Sequence, residues 1–228
     1  MGLDSYLNRM ARPRSNDATA NDVINIENYI DYIEKCKNPD SKARNYTMEE
    51  WCGTKLEDID ADLLEFYRHY YTDKYSEWDT ERKYPFRRIM EQVAYWRKAN
   101  AIHDWFVEHV QDGVDDCDYH NEVTKEVLEE LLDTCERVLD ASELVGDHVY
   151  DVVEVAGGEY VPIIEEGQYI VDPIVAMELL PTTRGFFFGS TDYDEWYYDS
   201  VKYTAEKVRE ILETTDFETE MIYYISSW

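Results

Sequence analysis

The chain has 228 residues, 44% of them hydrophobic, and carries a net charge of −29 from 51 Asp and Glu against 22 Lys and Arg. That length and apolar content can fill the core of one large domain or two small ones, and 20 Tyr, 7 Phe and 6 Trp exclude the aromatic-poor composition of a disordered acidic chain. So acidic a surface is repelled by anionic membrane and by nucleic acid, which leaves cationic surfaces as its natural partners.

In chain order, Gly2–Arg9 alternates well enough to be predicted as a short strand, and residues 11–20 form a polar linker. Val23, Ile24, Ile26, Ile30 and Ile33 then recur at helical spacing to about Glu34. Thr47 with Glu50 three residues on is a capping-box start for a short helix through Trp51, and a further apolar run covers Leu63 to Tyr71. After a polar loop over residues 72–85, Pro85 is predicted to open a long helix to about Gln111, with Phe86, Ile89, Val93, Trp96, Phe106 and Val110 among its apolar positions.

An acidic loop follows, and Asn121 is predicted to cap a helix from Glu122 to Asp140, whose apolar members Val123, Val127, Leu128, Leu131, Leu132, Cys135, Val138 and Leu139 fill one side. Residues 149–155 and 160–164 are β-rich around Gly157-Gly158, a hairpin signal. Asp172-Pro173 starts a short helix to Leu180, which Pro181 ends, and Gly185–Gly189 reads as a short buried strand. Thr191 and Asp194 suggest a second capping box for a helix to about Thr215, before a closing strand, Met221 to Ser226. The expectation is one α+β domain over 1–228, its sheet assembled from the terminal strands and the 149–164 hairpin, with a near-neutral helical part (1–111) and an acidic part (112–228).

The charge is lopsided. Residues 1–100 hold 19 acids against 16 Lys and Arg, whereas residues 101–228 hold 32 against 6. On the 122–140 helix, Glu122, Glu126, Glu129, Glu130, Asp133, Glu136 and Asp140 fall on the side opposite the apolar stripe. Carboxylates four residues apart rise about 6 Å, comparable to the repeat of backbone phosphates, although a plain solvated helix face would carry the same pattern. Glu195, Asp199, Glu206, Glu210 and Glu213 form a second row, flanked by Lys202 and Arg209. Arg82, Lys83, Arg87, Arg88, Arg97 and Lys98 could neutralise part of the excess internally, but not most of it.

Other chemistry is weakly signalled. Asp112, Asp115, Asp116, Asp118, His120 and Glu122 crowd one loop, but counting from Asp116 the glycine an EF-hand requires is Asn121. Asp192, Asp194 and Glu195 open a helix, where carboxylates can hold Mg²⁺ or serve as ordinary caps; a metal-dependent hydrolase or nucleotide-binding enzyme is the alternative reading they support. No Ser or Cys stands in a nucleophile motif, and no cofactor is indicated. Tyr193, Trp196, Tyr197 and Tyr198 crowd that helix start too densely for all to be buried, and Tyr and Trp are favoured at binding hot spots. Cys36, Cys52, Cys117 and Cys135 have no CxxC pairing and read as reduced, mostly buried thiols. No membrane span or targeting segment is expected, which suggests a cytoplasmic protein.

The stretches MGLDSYL, VAYWRKANAIHDWFV, LLPTTRGFFFGSTDYDEWYYD and YYISSW resemble an uncharacterised family of bacteriophage and mobile-element accessory proteins. The resemblance implies a setting, the bacterial cytoplasm, and no catalytic residues. In that setting a small, very acidic protein is similar to DNA-mimic inhibitors of anti-restriction and anti-CRISPR type. The expected partner is then a basic nucleic-acid-binding host protein, met by Asp115, Asp116, Asp118, Glu122, Glu126, Glu129, Glu130, Asp133, Glu136, Asp140, Glu206, Glu210 and Glu213.

Overall fold

The structure, a computed structural model, describes residues 2–13, 18–68, 89–117, 121–155 and 157–228. Its centre is a four-stranded antiparallel sheet in the order β2-β1-β6-β3, built from β1 (Asp4–Ala11), β2 (Glu91–Arg97), β3 (Asn121–Val123) and β6 (Glu220–Ser227). The two end segments of the chain lie side by side in the middle, with Leu7 opposite Tyr224.

Helices cover both faces. On one side α1 (Ala20–Lys37) and α3 (Ala61–Arg68) bury Val23, Ile26, Ile30, Leu63 and Tyr67 against Met10, Met221 and Tyr223. On the other, α4 (Asn100–Val110), α5 (Lys125–Asp140) and α7 (Glu195–Thr214) share a larger core with Leu7, Ile222 and Tyr224. Successive side chains of a strand point to opposite faces, so Met221 and Tyr223 of β6 feed one core and Ile222 and Tyr224 the other, which is why its Met221–Ile225 stretch is apolar without a break. The short α2 (Met48–Cys52) starts at the expected Thr47–Glu50 capping box. Between α5 and α7 lie β4 (Leu144–Val155), β5 (Glu159–Ile170) and α6 (Ile174–Leu179).

The α+β class stands, but several expectations are corrected. The hairpin turns at Gly157-Gly158, both at positive φ, as expected, yet β4 and β5 form a separate two-stranded arm rather than part of the central sheet. Residues 91–97 are strand, not helix. They pair with β1, and Lys98 at φ 59 breaks the backbone before α4 begins at Asn100. Asn121 is no helix cap: Asn121–Val123 pairs with Tyr224–Ile222 at the edge of β6, and the Thr124 hydroxyl, accepting from the Val127 N–H at 3.3 Å, caps α5 instead.

Gly185–Gly189 forms no strand. Asn100 clamps this loop, donating from Nδ2 to the carbonyls of Phe188 and Ser190 at 3.1 and 2.7 Å and accepting from the Thr183 N–H at 3.1 Å. Phe186 is left 95% exposed, while Phe188 packs edge-on against His103. Asp194 alone caps α7, with no part played by Thr191. Among the described residues no helix is long and apolar enough to cross a membrane.

Candidate functional site

Amphipathic helices set the acidic surface. Leu128, Leu131, Cys135 and Val138 of α5 pack towards α7, which buries Tyr197, Val201, Ala205, Val208 and Ile211 in the same core. The 3.6-residue period then sends Glu126, Glu129, Glu130, Asp133, Glu136 and Asp140 outward, and all six are exposed. Glu206, Glu210 and Glu213 are exposed on α7. Arg209 of α7 donates to Glu136 of α5 at 2.6 Å, so the two rows meet on one side of the molecule.

Part of this charge is answered locally. Lys125 lies 3.4 Å from Glu129, Arg137 3.4 Å from Asp133 and Lys207 2.6 Å from Glu210. Exposed pairs of this kind are worth well under about 1 kcal/mol each and leave most of the local field intact. Glu126 has its carboxyl lowered by a hydrogen bond from its own backbone N–H and by the Thr124 side chain, which favours the ionised form. Glu130, Asp140 and Glu213 form no salt bridge with a described Lys or Arg, whereas Glu206 acts electrostatically on Lys207.

The remaining expected contact residues are used differently. Glu122 sits on β3, where Arg12 reaches it at 2.6 Å. Asp115 turns inward: its Oδ2 stands 3.2 Å from Nε2 of the buried His103, and its Oδ1 accepts from the Trp228 indole at 3.2 Å. Asp116 is half-buried, its carbonyl taken by Gln111, and Asp118 lies outside the described residues. The 112–117 loop therefore presents fewer free carboxylates than its sequence suggests. Of the basic residues expected to neutralise the acidic half, Arg82, Lys83, Arg87 and Arg88 also lie outside, while Arg97 pairs with Asp4 within the near-neutral part.

His103 belongs to a polar cluster that its sequence spacing does not reveal. Its Nδ1 lies 2.7 Å from the Tyr224 hydroxyl, which stacks its ring on Phe106 at 4.3 Å. Burial pushes the Tyr224 hydroxyl far up from its usual range, so it stays protonated, and the His103 tautomer sets which of the two groups donates across the 2.7 Å contact. The group braces β6 against α4 and is closed over by Phe188 and Trp228.

The helix start at 192–195 reads as structure. Asp194 Oδ1 accepts from the Tyr197 N–H at 2.9 Å, and Asp192 exchanges hydrogen bonds with Ser190. Among the described residues no three His, Cys, Asp or Glu side chains gather in a way that could hold a metal ion. Asn caps a helix as well as Asp does, so Asp194→Asn should cost about 1 kcal/mol or less, and Mg²⁺ should leave the melting temperature of either protein unchanged. Thermal unfolding checks this. A ligand bound at 100 times its Kd would add about 2.7 kcal/mol, a shift too large to miss.

The crowded aromatics divide as their number demands. Tyr197 is buried and donates to the Leu180 carbonyl at 2.9 Å, Tyr193 and Tyr198 are half-buried, and Trp196 is 81% exposed. Of the four cysteines, free in every case, only Cys135 is fully buried, its thiol pushed up to about 12. Compared with known proteins, the chain matches no family model, no curated protein and no solved structure.

Proposed function

We propose that the protein is a non-enzymatic binder that presents the acidic rows of α5 and α7 to the cationic groove of a nucleic-acid-handling protein. One observation carries the reading. Glu130, Asp140 and Glu213 are exposed, form no salt bridge with a described base, and share one side of two packed helices with the exposed Glu126 and Glu206. At 1.5 Å per residue these helices run about 24 and 30 Å, long enough to lie in a groove made for a nucleic-acid backbone. The resemblance to phage accessory proteins supports a defence protein of the bacterial host as the owner of that groove, in the manner of DNA-mimic inhibitors.

The test is capture from bacterial lysate at low salt, followed by elution with duplex DNA. The expected result is a nucleic-acid-binding protein released by DNA and by raised salt, since both compete for its cationic groove. Retention of all captured protein in excess DNA and high salt would argue for an uncharged interface elsewhere.

A further inference from the structure

Three apolar side chains lie open where the β4–β5 arm joins α6. Val171, Ile174 and Met177, spaced three residues apart, are 58%, 56% and 55% exposed, while the opposite side of the same turn is buried through Ala176 and Leu180. The Val171 N–H donates to the Glu143 carbonyl at 3.0 Å, which ties the strip to the start of the arm beyond the end of α5. Single exposed apolar residues are ordinary; a row of three on a surface this acidic is a mark of contact.

The charge around the strip selects what can cover it. Between Arg137 and Arg184 the sequence holds ten Asp and Glu and no Lys or Arg. Asp140, Glu143, Asp172 and Glu178 of this stretch are exposed and sit within a few residues of the strip in sequence or through the Glu143–Val171 bond. A second copy of the chain would bring the same acids to an isologous contact, placing like charge on like charge. The geometry points to a cationic, amphipathic segment of a partner protein as the occupant, its apolar side chains seated on Val171, Ile174 and Met177 and its Lys or Arg meeting the surrounding carboxylates. This rests on the cationic partner of the proposed function and adds an apolar anchor that salt does not screen.

Two probe peptides of about 14 residues decide it, both made of Leu and Lys in the same proportions, one with Leu at i, i+3, i+4 and i+7 and one scrambled. Binding to the full chain is read by fluorescence anisotropy at low and high salt. The patterned peptide should bind roughly tenfold tighter, with its advantage kept at high salt, where exposed charges are screened. Replacing the strip by Val171→Ser, Ile174→Ser and Met177→Ser should erase that advantage and leave the scrambled peptide's affinity unchanged. Reversing Glu130, Asp140, Glu206 and Glu213 should weaken both peptides.

Equal affinities in the unaltered protein, or an advantage that survives the triple substitution, would overturn the strip while leaving the acidic rows standing. Failure of both peptides to bind at low salt would overturn the two together. A concentration-dependent dimer in sedimentation that the triple substitution abolishes would assign the strip to a second copy and end the proposal.

Discussion

Reversing Glu130, Asp140, Glu206 and Glu213 to Lys should weaken binding to the proposed cationic partner by more than about 100-fold at low salt, with the fold unchanged. The substitutions move the net charge from −29 to −21, two units for each of four positions. They also place like charges against the partner's bases, and such juxtapositions cost several kcal/mol, whereas 100-fold requires only about 2.7. The positions are chosen from the geometry. Glu129 and Asp133 already face Lys125 and Arg137, so reversing them would set up repulsion within α5 and confuse a folding defect with a binding one. Asp140 and Glu213 lie in the last turns of α5 and α7, where a cation is favoured by the helix dipole. Affinity measured by calorimetry, beside far-ultraviolet circular dichroism, checks both halves. An unchanged affinity in a folded variant would remove these rows from the interface.

Replacing Tyr224 should have the largest effect on stability. The side chain is fully buried in the central strand, with its ring stacked on Phe106 and its hydroxyl on His103. Tyr224→Ala should cost about 3–5 kcal/mol through lost burial and the cavity left behind. At 2–4 °C per kcal/mol for a chain of this size, that is a fall of roughly 6–20 °C in melting temperature. Tyr224→Phe keeps the ring and leaves Nδ1 of His103 without its partner in a dry site, which should cost about 1–3 kcal/mol. Denaturant unfolding separates the two. A Phe variant as stable as the original would show that the hydroxyl contributes nothing and that packing alone holds β6 on α4. Neither variant should change partner affinity, because Tyr224 lies beneath the acidic face and not in it.

The parts of this molecule legible in the sequence are those whose pattern depends on local geometry. The α5 and α7 acids follow the helical period because exposure follows it, and Thr47 with Glu50 caps α2 through groups three residues apart. β6 was legible from its β-branched and aromatic run even without alternation. Other elements were decided by distant partners. Ile89, Val93 and Trp96 recur at spacings of four and three, which fit a helix, and only pairing with β1 makes residues 91–97 a strand. Asn121 and Thr124 are both good caps. The open edge of β6 takes residues 121–123 into the sheet and moves the helix start three residues on.

The same distinction governs the candidate site. Glu122 and Asp115 belong to the acidic set by sequence, yet Arg12 and His103, 110 and 12 positions away, draw them into the fold. Phe186–Phe188 looks like core by composition, and Asn100, more than 80 residues earlier, holds the loop so that Phe186 faces solvent. The exposed strip on α6 had no sequence signal either. Ile174 and Met177 lie in an apolar turn, and only the burial of Ala176 and Leu180 shows which side is left open.

Carboxyl footprinting of the complex tests the central claim most directly. Carbodiimide labelling with mass-spectrometric readout reports each Asp and Glu separately, in the free protein and with the proposed cationic partner bound. The account predicts strong protection of Glu126, Glu130, Asp140, Glu206 and Glu213 on binding, with Glu49, Glu57 and Asp58 of the near-neutral half labelled as in the free chain. Protection confined to that half, with the α5 and α7 carboxylates labelled equally in both states, would contradict it.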